Sequence, residues 1–227
     1  MRLEDMNWFD VESYLERDDR LIVVLGSCEQ HGYLSLLTDV RIPQALAEAA
    51  SQQTGVLVSP PLNFGASPYF LKYPGTISLR VSTLLDLVED LVRSAYGQGF
   101  RRILVMNGHG GNDASRGRLY ELANQLSDLK LVWYAWWQSP SVAALARKYN
   151  LKQFHANWQE AFSFTKVSPL PDGEKAPIRH TGLMGAEQSR QTYGDGVFGG
   201  RYSVASDIMD ELFAVVLGEV LGLLQFE

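Results

Sequence analysis

The sequence predicts an α/β domain built on a mostly parallel sheet, and three observations predict it. Apolar runs too short for helices alternate with longer stretches of helical spacing. The runs are apolar on both faces, as strands covered on both sides are. Two of them end in glycine-rich polar segments, residues 26–32 and 107–112, where an open α/β sheet binds its ligands. A length of 227 residues suits one such unit, so residues 1–227 are expected to form a single domain without repeats or linkers.

Residues 21–26 (Leu-Ile-Val-Val-Leu-Gly) form the first expected strand. Pro43 then opens a helix running to about Gln53, because proline lacks an N–H that a first helical turn leaves unbonded anyway. Residues 56–59 form a second strand, stopped by Pro60 and Pro61. Ser82 or Thr83 is placed to cap a helix carrying Leu84, Leu87, Val88, Leu91 and Val92 at helical spacing, and Gly97 or Gly99 ends it. Residues 101–106 are the next strand, and helical spacing resumes from about Ala114 to Leu126. A strand over 130–137 and a short helix over 141–148 follow. Residues 169–177 read as a turn-rich surface connection, 194–200 as a second glycine-rich loop, and 208–224 as a closing amphipathic helix.

Composition excludes several classes. The chain is 46% hydrophobic and 20% charged, which supports a full core and excludes disorder. A net charge of −6, with Arg101-Arg102 the only basic cluster, argues against nucleic acid as a partner. The one cysteine, Cys28, requires no oxidising compartment. The longest apolar stretches are too short to span a bilayer, so no membrane partner and a cytoplasmic location are expected.

Chemistry concentrates at the strand ends. If the backbone stays extended beyond the first strand, Glu29 and His31 point to one side, where a carboxylate and an imidazole reach one cation. Asp39 returns from the following loop and could bridge two cations, and His109 projects from the neighbouring strand end. Two histidines, a glutamate and an aspartate at one edge suit Zn²⁺ or Mn²⁺. His155 and Glu160 lie about 140° apart on a helix, so they would not share a helical face. With His155 just before a helix and Glu160 in its first turns, Glu160 could complete the metal shell while His155, unligated, handles protons. Each has a plainer reading: Glu29 and His31 as a solvated loop pair, His109 in a phosphate-binding or ordinary turn, Glu160 as a surface carboxylate. Their combination favours a site, because three of the four histidines lie beside strand ends or glycine-rich turns; His180 does not and reads as a surface residue. Cys28 beside His31 reads as a small residue at a strand end rather than a nucleophile, since nothing nearby would lower its pKa.

The segments Gly-Ser-Cys-Glu-Gln-His-Gly (26–32) with Asp39, Tyr-Pro-Gly-Thr-Ile-Ser-Leu (73–79), Asn-Gly-His-Gly-Gly-Asn (107–112) and His155-x-x-x-x-Glu160 occur in the order found in the creatininase family of creatinine amidohydrolases. The chain resembles that family from about residue 20 to 205. The resemblance implies a three-layer α/β/α domain and a site for two divalent metal ions (Zn²⁺, Mn²⁺ or Fe²⁺) that activates water. It places Glu29, His31, Asp39, His109 and Glu160 as ligands, with Asp39 bridging, and His155 as the proton-transfer residue. It also implies a small-molecule substrate with a non-peptide C–N bond, and a homo-oligomer, a hexamer built as a trimer of dimers. Several positions depart from the family pattern: Tyr33-Leu34 after the first His-Gly, a loop to Asp39 one residue shorter, Tyr69-Phe70, Ala161-Phe162 and Gly111. They weigh against creatinine itself as the substrate.

The expected reaction is metal-assisted hydrolysis of an amide or cyclic amide. Backbone N–H groups of Gly110 and Gly111 orient the substrate, with Tyr134 and Trp158 as pocket walls. In the aromatic run 133–137, one face belongs to the core and the other face, or the final Trp137, to a pocket or subunit contact. Competing readings are a metal-dependent hydrolase or lyase of cyclic ketones or lactones, a metal-free scaffolding relative, and a nucleotide-binding module using residues 108–111. The last lacks a P-loop lysine and a dinucleotide fingerprint.

Overall fold

The apolar runs pair into a four-stranded parallel sheet in the order Leu57–Val58, Arg20–Leu25, Arg102–Asn107, Lys130–Ala135, and alternate side chains of each strand serve different layers. The computed structural model describes residues 1–227. The strands are β1 (Arg20–Leu25), β2 (Leu57–Val58), β3 (Arg102–Asn107) and β4 (Lys130–Ala135). The helices that use their spare faces are α1 (Trp8–Leu15), α2 (Thr38–Thr54), α3 (Val81–Gln98), α4 (Ser115–Gln125), α5 (Pro140–Lys148), α6 (Ala186–Tyr193) and α7 (Ser206–Leu223). On one side Ile22, Val24, Leu104 and Met106 pack with Ile42 and Leu46 of α2, Leu145 of α5 and Leu212, Val216 and Val220 of α7. On the other, Leu21, Val23, Leu25, Ile103 and Val105 pack with Leu84, Val88 and Val92 of α3 and with Leu119 and Leu122 of α4. The result is the three-layer α/β/α arrangement. Strand pairing brings Leu25 opposite Asn107 and Asn107 opposite Ala135, so three strands end at one level.

Three expectations need correction. The helix expected to open at Pro43 begins at Thr38, and Pro43 lies inside α2. Ser35 sets the start: its side chain accepts from the Leu37 N–H, and its carbonyl accepts from the Thr38 hydroxyl at 2.7 Å. Pro43 is tolerated there because the missing N–H would bond the Asp39 carbonyl, which instead packs against Gly108; a Cβ on that glycine would lie 1.9 Å from the Asp39 oxygen. Ser82 and Thr83 do not cap α3, whose N-cap is Arg80 in extended backbone; Gly99 ends the helix as expected. No α-helix forms after His155, where Ala156 takes a left-handed φ of 60° and only a 3₁₀ turn, Trp158–Glu160, follows.

The surface connection 169–177 contributes β5 (Glu174–Lys175), which pairs antiparallel with β6 (Gly200–Arg201). Lys175 adds bonds from its ammonium to Asp195 and to the carbonyls of Tyr193 and Val197, holding the glycine-rich loop against the body. No helix is long and apolar enough to cross a membrane.

Candidate metal centre

Beyond β1 and β3 the chain turns into two loops clasped together by asparagines. Asn107 donates to the His109 carbonyl at 2.7 Å and accepts from the His109 N–H at 3.1 Å, while Asn112 donates to the Gly26 carbonyl at 3.1 Å. The first loop brings Glu29 and His31, the second His109, the first turn of α2 brings Asp39, and the turn after Ala156 brings Glu160. All five are under 8% exposed. Ionisable groups are rarely buried this fully unless paired or ligating.

Asp39 is the hub. Its Oδ1 lies 2.9 Å from His31 Nε2 and its Oδ2 lies 2.9 Å from His109 Nδ1. Glu29 Oε1 is 3.4 Å from His109 Nδ1, and Glu160 Oε1 is 3.9 Å from His31 Nε2. Donor atoms therefore fall into two groups that share Asp39, namely Glu29–Asp39–His109 and His31–Asp39–Glu160, with the atoms of each within 4.8 Å of one another. Glu29, His31 and His155 form a third grouping of the same size.

The far sides of the rings are occupied. His109 Nε2 meets the Ala66 carbonyl at 3.0 Å and Ser67 Oγ at 3.1 Å, and His31 Nδ1 lies 3.3 Å from the Glu29 carbonyl. Those contacts orient the remaining nitrogens into the cluster, the usual outer support of metal-ligating histidine. Despite the short ion-pair distances, His31 Nε2, Asp39 Oδ2 and Glu29 Oε2 make no hydrogen bond. Buried, unbonded nitrogen and carboxylate donors of this kind fit divalent cations of the zinc and manganese type.

Without a cation, the cluster's charges act on each other. Burial lowers the pKa of His31, but Asp39, with Glu160 and Glu29, outweighs it and lifts the group to about 10. His109 is likewise raised against burial, by Glu29 and Asp39. Burial opposes charge on Asp39, yet His31 and His109 hold its carboxyl well below the usual range. Burial pushes Glu160 up to about 7, with His31 pulling the other way. His155 is lowered to about 4, first by burial and then by His31.

Above the cluster opens a cavity of about 200 Å³. Phe70, Trp137 and Phe198 give it aromatic walls, and Tyr69 and Gln159 add polar edges. His155 sits between Phe70 and Phe198, each ring centroid 4.9 Å away. Gly110 lines this cavity. Gly111 does not: it packs against the Ala66 carbonyl, with only 1.9 Å left for a Cβ. Tyr134 and Trp158 also lie elsewhere. Tyr134 points across β4 to α7 and donates to Glu219, since residues 133 and 135 take the opposite face. Trp158 is fully buried in the core and donates to the Lys152 carbonyl, because the left-handed Ala156 turns the chain inward. Trp137 is the member of the aromatic run that reaches the pocket. Nothing in the sequence marks Phe198 and Gln159 themselves, although the glycine-rich loop and the neighbouring Glu160 mark their surroundings. Cys28 donates from Sγ to the Gly75 carbonyl at 3.4 Å, and burial raises its pKa, which leaves it no nucleophile's role. His180 is exposed.

A parallel α/β/α domain with buried imidazoles and carboxylates gathered at its strand ends presents the donor set of a divalent-metal site. The chain is a member of the creatininase family: the family described as "Creatininase: Creatinine amidohydrolase" matches residues 4–224. It is 29% identical over 146 residues to the creatinine amidohydrolase of Pseudomonas putida, a stretch covering 59% of this chain and 56% of that protein. It is 40% identical over 99 residues to the mycofactocin precursor peptide peptidase of Mycolicibacterium smegmatis, covering 40% of each. The chain thus spans about half the length of the curated relatives it matches. Among solved structures, the manganese form of creatininase superposes with a TM-score of 0.82 at 21% identity, over 97% of this chain and 96% of that one.

Proposed function

We propose that this protein is a divalent-metal-dependent amidohydrolase that cleaves a C–N bond in a small amide or cyclic amide. Asp39 carries the reading, because its two oxygens face two different histidines, each belonging to a separate donor group. Glu29 and His109 would hold one cation and His31 and Glu160 the other, with Asp39 common to both. Zn²⁺ and Mn²⁺ suit these donors best, and Fe²⁺ shares the same ligand preferences. Bound there, such ions polarise a carbonyl and bring the pKa of water from 15.7 toward about 7.

The chain's own groups supply the rest. Phe70, Trp137 and Phe198 grip a small planar ligand and keep bulk water from its faces. Gly110 lines the cavity, and its N–H would orient a substrate oxygen there. His155 Nδ1 lies 3.9 Å from Glu29 Oε1, where the imidazole would meet a leaving nitrogen. Residues 1–227 act as one catalytic domain on this reading. Assembly of several copies, a hexamer in the fullest form, would cover the stacked and exposed Trp8 and Phe9, and light scattering reads it directly.

The test has two parts. Protein from metal-supplemented expression, purified without chelator, should carry about two metal equivalents per chain by elemental analysis, and Asp39→Asn should carry fewer than one. A panel of cyclic amides, linear amides and short peptides, read by mass spectrometry, should show C–N cleavage that Asp39→Asn abolishes. Opening of cyclic ketones or lactones alone would transfer the site to that chemistry. A wild-type protein that binds no metal sinks the reading.

A further inference from the structure

Gln30 lies between two residues of the cluster and is only 5% exposed, without belonging to either donor group. The carboxamide is clamped so that its two ends cannot be exchanged. The Gly32 N–H, which can only donate, meets Oε1 at 3.0 Å. The Gly196 carbonyl, which can only accept, meets Nε2 at 3.1 Å. Gly196 closes the clamp, since a Cβ there would lie 1.7 Å from Gln30 Oε1. One N–H of the carboxamide is left, and it points at His155 Nε2, 2.9 Å away.

His155 Nε2 also lies 3.1 Å from the Gln30 backbone carbonyl, so its two neighbours ask for opposite tautomers. A hydrogen on Nε2 would satisfy the carbonyl but face the clamped amide N–H head-on and orphan that buried donor. Buried donors are left unpaired less often than carbonyls, which have a second lone pair. Nε2 therefore accepts, and the ring hydrogen of neutral His155 belongs on Nδ1.

We propose that Gln30 is a positioning residue that sets the tautomer of His155, placing the ring hydrogen on Nδ1 toward the cavity. The assignment deepens the amidohydrolase reading and rests on it for its catalytic meaning. It gives that site a hydrogen-bond donor aimed at the substrate's reacting oxygen or leaving nitrogen. It also decides among the three donor groupings. The grouping of Glu29, His31 and His155 needs a bare Nδ1, because Nδ1 is the atom facing Glu29. With hydrogen there, His155 is kept out of the metal shell, and the two groups that share Asp39 remain.

The experiment is ¹⁵N-histidine NMR of the diamagnetic Zn²⁺-loaded protein, with His155 assigned by its absence in His155→Gln. Wild type should show a protonated Nδ1 and a bare Nε2. Gln30→Glu keeps the shape and the acceptor for Gly32 but replaces the donor by an acceptor, and Gln30→Met removes the donor. In both, Nε2 should become protonated, with zinc content unchanged. On any amide the panel yields, kcat should fall about 10–100-fold, the usual range for an outer-shell partner, with KM little altered. A bare Nδ1 in wild type overturns the proposal, even if neither variant folds. So does a tautomer that is the same in all three proteins. If no amide is cleaved but the tautomer behaves as stated, the amidohydrolase reading falls and the role of Gln30 in orienting His155 stands.

Discussion

Adding one methyl group at Gly108 should destroy the metal centre without replacing a ligand. Gly108 sits between the end of β3 and the first turn of α2, and a Cβ there would lie 1.9 Å from the Asp39 carbonyl oxygen and 2.8 Å from Pro43 Cγ. The first distance is about 1.5 Å short of ordinary contact. Neither neighbour can rotate away, since one is backbone and the other a proline ring inside a helix. Relief requires β3 and α2 to separate, and those elements carry His109 and Asp39. Overpacking typically costs about 1–3 kcal/mol, and rigid atoms on both sides put Gly108→Ala near the top, about 3 kcal/mol. For a chain of this size that lowers Tm by roughly 6–12 °C. Metal sites tolerate only about 0.2 Å of error in ligand distance, so metal content should fall below one equivalent. Thermal unfolding and elemental analysis measure both. Gly110→Ala is the control, because nothing lies within 4 Å of its Cβ, and it should match wild type in both readouts. Wild-type Tm and full metal content in Gly108→Ala would refute the reasoning.

Other perturbations separate the site from the scaffold. In metal-free protein Glu160, raised to about 7 from 4.5 chiefly by burial, binds its proton more tightly when folded. Its contribution is therefore fully favourable below the unfolded value of 4.5 and is lost as pH rises through 7. Glu160→Gln should leave acid stability near pH 4 unchanged and stabilise the metal-free protein at pH 8 by about 3 kcal/mol, read by urea unfolding. Equal effects at both pH values would contradict it. Tyr134→Phe should cost about 2 kcal/mol by leaving Glu219 one donor short, with metal content and KM intact; a changed KM would return Tyr134 to the pocket. His109→Ala should remove metal and activity together, and full activity with intact metal would reject its place in the cluster.

The sheet and the donor set were readable for one reason. Strands covered on both faces leave no ambiguity of pattern in residues 21–25 and 102–106, and Glu29, His31 and His109 follow just beyond where such strands stop. What escaped depended on contacts distant in sequence. Pro43 resembles a helix opener because nothing local reveals that Ser35 has already begun the turn or that Gly108 covers the freed carbonyl. Tyr134 and Trp137 differ only in the end of β4, one residue past Tyr134, after which the face of each aromatic is no longer set by alternation. Trp158 went to the core because an alanine adopts a backbone that usually needs glycine, a choice no propensity favours.

The pairing of Leu25 with Asn107 has a consequence for how such a centre is assembled in the cell. Each half of the donor set comes from a different part of the chain, and neither half holds a full complement alone. A nascent chain that has released only its first strand and helix offers an incoming ion two or three loose ligands at best. Capture between Glu29, Asp39 and His109 would have to wait until β3 has slotted in beside β1, a non-local event. An ion held there would work as a latch on a finished molecule and not as a seed for an unfinished one, and a chain misaligned by a single rung would go unlatched.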